Sequence, residues 1–221
     1  MSSKPPELTT TSHAILGLLA IRPWTTYELA QHMDRSVGRL WPRARSKLYE
    51  EPKKLVAHGL AEATRETVGR RPRTIYAITP AGRRALAAWL ATPGAAGPVL
   101  EFEQLLKVFF ADHGTTRDLL ATLAETRRWA QEQAAEHAAV ARGYLDGQGR
   151  FPQRMAVLAL TGRFLADFTD MVGRWAEWAS DVVQDWPDDP RAAEPDRSSF
   201  EHVVQLHHHQ PAGHTRVPDP R

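Results

Sequence analysis

Residues 55–86 hold punctuation in an order that few folds accept. A helix runs into His58-Gly59-Leu60, a short apolar-polar stretch follows, then Gly69-Arg70-Arg71-Pro72, a second such stretch, and Thr79-Pro80-Ala81-Gly82. Glycine just past a helix admits the left-handed backbone that closes it. Gly-Arg-Arg-Pro suits a tight turn, and Ile75 and Tyr76 favour a strand. Thr79 followed by Pro80 supplies a cap and a first helical residue. Helix, strand, turn, strand and helix in this order read as a winged helix.

Charge is segregated over the same region. Residues 35–84 carry thirteen Lys/Arg against four Asp/Glu, a local charge of +9 in a chain whose total is +2, so the rest sums to −7. Segregation of this kind marks a surface suited to a polyanion.

Upstream, Ile15, Leu16, Leu18 and Leu19 are spaced along a first helix that starts near Thr11 or Ser12 and is stopped by Pro23. Thr25-Thr26-Tyr27-Glu28 has the Thr-x-x-Glu form of a capping box and opens a second helix, with Leu29, Ala30 and Met33 on its inner face. A third helix is predicted to begin near Pro42. Leu48, Leu55 and Val56 face its core side, and Arg45, Ser46, Tyr49 and Lys53 lie together on the other. That second stripe offers phosphate donors, base-edge donors and one flat ring. It also has the composition of an ordinary solvated face. Pro52 interrupts this helix: it cannot donate to the Leu48 carbonyl, so a kink or a helix restarting at Pro52 is expected. In the hairpin, strands over residues 60–67 and 73–78 flank a turn over 68–72. Its tip presents Arg70, Arg71 and Arg73 to phosphates or to a narrow minor groove.

These phrases resemble the PadR family of bacterial transcriptional regulators. The resemblance rests on Ala14-Ile15-Leu16-Gly17-Leu18-Leu19, Tyr27-Glu28-Leu29, Leu48-Tyr49 and Lys54-Leu55-Val56-Ala57-His58-Gly59-Leu60. It continues through Tyr76-Ala77-Ile78-Thr79-Pro80-Ala81-Gly82-Arg83-Arg84-Ala85-Leu86. It implies a homodimeric repressor with an N-terminal winged helix and a C-terminal helical dimerisation region. The third helix would enter the major groove of double-stranded DNA, and the wing would touch the backbone or minor groove; a two-fold dimer would make the site an inverted repeat. By position, the implied DNA-binding residues are Arg45, Ser46, Tyr49 and Lys53 on the helix and Arg70, Arg71 and Arg73 on the wing. Pro52 departs from the family, many of whose members have an apolar helix former there.

Beyond a Pro/Gly-rich linker at 93–100, charge reverses: residues 101–190 hold fifteen acidic and nine basic side chains. Three helices are readable, over residues 101–112, 115–144 and 152–186. The first places Phe102, Leu105, Leu106, Phe109 and Phe110 inward, and Thr115 with Asp118 caps the second. The third carries Met155, Leu158, Gly162, Leu165, Thr169, Val172, Ala176, Ala179, Val183 and Trp186 at alternating steps of three and four. Phe168, Trp175 and Val182 form a second stripe. A helix of about 35 residues is roughly 50 Å long and needs a partner helix, from the same chain or a second copy. Dimerisation through Leu158, Leu165, Val172, Ala176, Ala179 and Val183 is the expectation, because a two-fold dimer also matches a two-fold DNA site. Trp129, Trp175, Trp178 and Trp186 suit either core packing or a pocket for a small aromatic effector.

The expected organisation is therefore mainly α with a small β-hairpin. A winged helix-turn-helix covers residues 11–92, a linker 93–100, a long-helix dimerisation and effector region 101–187, and a disordered tail 188–221, in which Ser199 to Leu206 could form a short helix. His207-His208-His209 in a flexible tract offers no fixed metal geometry. The chain has no Cys, which excludes disulfides and thiolate chemistry. Gly-x-Ser-x-Gly, P-loop, Gly-x-Gly-x-x-Gly and His-Glu-x-x-His motifs are absent, so neither an enzyme nor a cofactor site is expected. A polar N-terminus and the lack of a span of about 20 apolar residues point to a cytoplasmic protein without a membrane segment. The alternative function is a winged helix used for protein–protein assembly without specific DNA binding.

Overall fold

The computed structural model describes residues 8–35, 37–41, 47–68, 71–94 and 97–208. The chain divides into two compact units, Met1–Pro98 and Val99–Arg221.

The first unit is built round helix α1 (Thr10–Ile21). Thr9 caps it in a capping box with Ser12, and Ile15, Leu16, Leu18 and Leu19 are all buried. The chain turns at Arg22-Pro23 into a two-residue strand β1 (Trp24–Thr25), which sequence reading passes over. Helix α2 (Thr26–Arg35) follows, and Leu29 and Met33 are buried in the same core. The Thr25–Glu28 capping box is present: the Thr25 N–H donates to Glu28 Oε2 at 2.9 Å and the Glu28 N–H to Thr25 Oγ1 at 3.2 Å. The Thr25 amide and hydroxyl, with Arg22 3.0 Å away, hold the Glu28 pKa at about 2. A single turn α3 (Val37–Leu40) comes next.

Pro42, where the third helix is predicted to start, lies outside the described residues, as do Arg45 and Ser46. The described chain resumes as a turn through Leu48, Tyr49 and Glu50, and helix α4 (Glu51–Ala57) begins with Pro52 in its first turn. Of the two outcomes Pro52 allowed, the restart is the one found. A first-turn residue needs no intrahelical N–H partner, so proline costs nothing there. The helix closes as expected at Gly59, whose φ is +68°. Gly59 N–H bonds Val56 O and Leu60 N–H bonds Leu55 O, satisfying two terminal carbonyls.

Strands β2 (Ala61–Val68) and β3 (Arg71–Ile78) pair antiparallel from Ala61↔Ile78 to Val68↔Arg71, and β1 adds to β3, giving the order β1-β3-β2. The hairpin is longer than the sequence reading: Val68, Arg71 and Pro72 belong to the ladder and not to the turn. Proline is tolerated because β1 covers only Ile75 and Tyr76, so at Pro72 strand β3 has one neighbour. Thr79 caps helix α5 (Pro80–Leu90) and ties it down, accepting from Gly82 N–H at 3.1 Å and donating to Gly59 O at 2.7 Å. A stacked His13–Trp89 pair joins α5 to α1, with centroids 4.9 Å apart.

In the second unit, helix α6 (Glu103–Phe109) is shorter than expected and a 3-10 turn, Ala111–His113, follows it. Its predicted inner face is not buried: Leu106, Phe109 and Phe110 are exposed. Helices α7 (Thr116–Leu145) and α8 (Met155–Gln184) have 30 residues each, about 45 Å long. They pack antiparallel: Leu119 and Leu123 cluster with Val183 and Ala179, and Ala130 lies beside Gly173. The Thr115–Asp118 capping box opens α7 as read from sequence. Within residues 188–221, expected to lack order, residues 190–192 form a 3-10 turn and Arg197–His208 form helix α9, longer than the foreseen Ser199 to Leu206. Asp196 nucleates α9 by accepting from the Ser198 N–H and from both serine hydroxyls. His209 lies outside the described residues.

Gly82 is tightly enclosed: a Cβ there would lie inside the contact distance of the Leu60 carbonyl oxygen. Backbone cannot yield as a side-chain end can. Gly82→Ala is expected to destabilise this unit by about 3 kcal/mol or more, read by thermal melting as a fall of more than about 10 °C. An unchanged melting temperature would contradict the close approach.

Candidate nucleic-acid interface

The predicted DNA-facing residues fall into three groups. Arg45, Ser46 and Arg70 lie outside the described residues. Arg71 is placed by its backbone in β3, opposite Val68. Tyr49, Lys53 and Arg73 are fully described and exposed.

Tyr49 and Lys53 do not share one continuous helix face. Tyr49 sits in the turn before α4, 63% exposed, and Lys53 in the first turn of α4. Leu48, Glu51, Pro52 and Leu55, interleaved with them, are buried. The segment is thus amphipathic, with one set of side chains locked into the core and the other directed to solvent. Tyr49 presents a flat ring and a hydroxyl, and Lys53 an ammonium with three donors.

The wing is built from an exposed ladder. Residues 62–67 of β2 are exposed, and Leu60 and Ala61 anchor its base in the core. Register places Glu66 directly opposite Arg73, and the guanidinium holds the carboxylate through Nε at 3.2 Å and Nη2 at 2.8 Å. Arg73 is therefore partly neutralised, which counting charges along the sequence does not reveal. Arg65, one residue from Glu66 and opposite Thr74, is a further exposed cation that sequence reading missed. By the same register Arg65 lies on the opposite face of the hairpin from Glu66 and Arg73, since successive strand residues alternate between faces.

A buried carboxylate also went unread. Glu51 is 7% exposed and accepts a 2.5 Å hydrogen bond from the Ser12 hydroxyl of α1, with Lys54 Nζ at 3.6 Å.

The residues expected at a dimer seam are placed differently from that expectation. Val172, Ala176, Ala179 and Val183 are buried in this chain, among the side chains that α8 packs against α7. Leu158 and Leu165 are half-buried. The step pattern demanded a partner helix, and α7 of the same chain supplies it. A second stripe on α8 faces outward: Val157, Leu160, Phe164, Met171 and Trp178 are exposed, with Phe168 and Trp175 half-buried between them. Of the four tryptophans, Trp175 and Trp186 pack on the α7–α8 core and Trp129 lies 6.0 Å from Phe102, so these three do structural work. The two described clefts lie between α6 and α7 and are lined by none of the four. Among the described residues no group of three or more His, Asp or Glu is arranged to hold a metal ion, and no helix is long and apolar enough to cross a membrane.

Comparison with known proteins agrees with this architecture. The Transcriptional regulator PadR-like family matches residues 15–88, and the Virulence activator alpha C-term family matches residues 103–184. A probable transcriptional regulator of Mycobacterium tuberculosis, Rv1176c, is 37% identical over 84 residues, covering 37% of this chain and 43% of the relative. The negative transcriptional regulator PadR of Bacillus subtilis is 27% identical over 99 residues, covering 44% and 54%. The chain thus spans about half the length of these curated relatives. Bacillus subtilis PadR in complex with operator DNA has a similar fold, with a TM-score of 0.67 at 18% identity, covering 79% of this chain and 99% of that one. The same protein in complex with p-coumaric acid gives 0.62 at 19% identity, covering 80% and 100%. The first unit thus matches the PadR-like family of transcriptional regulators from Ile15 through Ala88, and α7 and α8 fall within the second match, residues 103–184.

Proposed function

We propose that this protein is a sequence-specific DNA-binding regulator that acts as a homodimeric repressor and responds to a small molecule. The observation that carries the reading is the amphipathic segment at residues 48–55 beside a cationic wing: Tyr49, Lys53 and Arg73 face solvent while Leu48 and Leu55 are locked in the core. Rigid support of exposed donors is what base and phosphate contacts require. Arg45, Ser46, Arg70 and Arg71 complete the proposed contact set, and Arg65 joins it on the wing. The operator complex of the Bacillus protein supports a DNA partner, and its p-coumaric acid complex supports a small-molecule effector.

Val172, Ala176, Ala179 and Val183 are covered within the chain, so the second copy is placed on the outward stripe of α8. Leu160 is 75% and Phe164 61% exposed in the single chain, and a contiguous apolar stripe of this kind is seldom left in water. Two-fold pairing of two copies along it would cover the stripe on both.

Selection of duplexes from a random pool tests the function directly. Recovery of an inverted repeat is expected, with log K falling linearly against log salt, and Lys53→Ala is expected to reduce the slope by about one. A protein that ignores duplex DNA at low salt would overturn the reading in favour of a protein-assembly module. Glu66→Gln removes the carboxylate that competes for Arg73, so tighter binding and a slope steeper by up to about one are expected. Weaker binding would show instead that Glu66 orients Arg73 for contact. Phe164→Glu is expected to give a monomer by sedimentation equilibrium with its helical circular dichroism retained. A variant that stays dimeric would remove the α8 stripe as the interface.

A further inference from the structure

Two hydrogen bonds join adjacent residues of the opening turn of α1 to Trp41 and Glu51, one on each side of Tyr49 in the chain. Trp41 Nε1 donates to Thr11 Oγ1 at 3.0 Å. The next residue, Ser12, donates its hydroxyl proton to Glu51 Oε1 at 2.5 Å. Trp41 precedes Arg45, Ser46 and Tyr49, and Glu51 follows them.

The anchoring turn is itself held. Ser12 Oγ accepts the Thr9 N–H at 3.0 Å, so its single proton is left for Glu51. Ser12 is 2% exposed, and Ile15 and Leu16, directly behind it, are 0% exposed. An apolar contact between α1 and α4 would hold the two helices together but leave them free to slide and rotate. A buried hydroxyl–carboxylate bond is directional, and breaking it strands a polar group away from water. The arrangement spends burial of a carboxylate at a position where a small apolar side chain would pack.

We propose that the first turn of α1 is a two-point anchor that sets the position of the DNA-facing segment, with Ser12 and Glu51 as positioning residues for base recognition. The inference rests on the DNA-binding reading. Its effect is on sequence discrimination: the anchor fixes where Tyr49 and Lys53 are presented, whereas attraction to phosphates depends on charge and tolerates small displacements.

The experiment compares the full-length wild type with Ser12→Ala, Glu51→Ala, Glu51→Gln and the double variant Ser12→Ala/Glu51→Ala. The ratio of affinities for the selected duplex and for a scrambled duplex is expected to fall roughly tenfold in Ser12→Ala and in Glu51→Ala, as loss of a buried hydrogen bond allows, with the salt slope unchanged. Glu51→Gln keeps an oxygen acceptor for the Ser12 hydroxyl and should retain the ratio within about threefold. The double variant should lose less than the product of the two single losses, because the Ser12–Glu51 bond is common to both, while Ser12→Ala also removes the acceptor of the Thr9 N–H and Glu51→Ala the partner of Lys54. Discrimination retained in Ser12→Ala, or equal losses on both duplexes, would overturn the proposal.

A second arm needs no DNA. Hydrogen exchange of the free protein should show faster exchange at Glu50 and Lys54, whose amides close the turn on Lys47 O and Glu50 O, with the β3 amides unchanged. Unaltered exchange at Glu50 and Lys54 in Ser12→Ala overturns the anchor. A wild type that binds no duplex removes the DNA reading, and the exchange arm still decides whether the anchor exists.

Discussion

Burial of α1 is the constraint on which the first unit depends. Ile15, Leu16, Leu18 and Leu19 are nearly fully enclosed, so the helix must be surrounded and not merely laid on a surface. Four such side chains contribute on the order of 6–12 kcal/mol of gross hydrophobic stabilisation before ordering costs. α2 supplies Leu29 and Met33 to the same core, α4 supplies Leu55, and the base of the hairpin supplies Tyr76. Each of these elements carries one solvent-facing side that the core does not use. The exposed positions of Tyr49, Lys53 and Arg73 are therefore consequences of how α1 is covered.

The second unit solves a different problem. Two helices of 30 residues have too little mutual surface to bury every apolar side chain they carry. The small and β-branched positions Thr169, Val172, Ala176, Ala179 and Val183 turn inward, which brings the α7 and α8 backbones close. The larger side chains Leu160, Phe164, Met171 and Trp178 are left outside. The inward stripe of α8 is thus made of small and β-branched residues, with Trp175 and Trp186 packing at its edge.

Local signals survived the passage from sequence to structure. The Thr25–Glu28 and Thr115–Asp118 capping boxes, the glycine closure at Gly59 and the helix start at Thr79-Pro80 depend on residues within five positions of one another. Pro52 was legible for the same reason, since its missing N–H acts on its own turn. The length of the wing was not legible, because Val68, Arg71 and Pro72 become strand only through pairing across the hairpin. Strand β1 is two residues long and exists only because β3 accepts it. The Glu66–Arg73 pair and the Ser12–Glu51 bond were equally hidden, the second joining residues 39 positions apart.

The sequence by itself determined the order of the longer helices and the hairpin, several helix caps, the basic character of residues 35–84 and the need of α8 for a partner helix, because these follow from local backbone chemistry, charge and periodicity. Only the tertiary structure decided which helix that partner is, which stripe of α8 remains exposed, that Arg73 is tied to Glu66, and that α1 grips the chain on both sides of Tyr49. A repeating pattern states that a face must be covered and is silent on what covers it. That choice is made by side-chain size and by contacts between residues far apart in the chain.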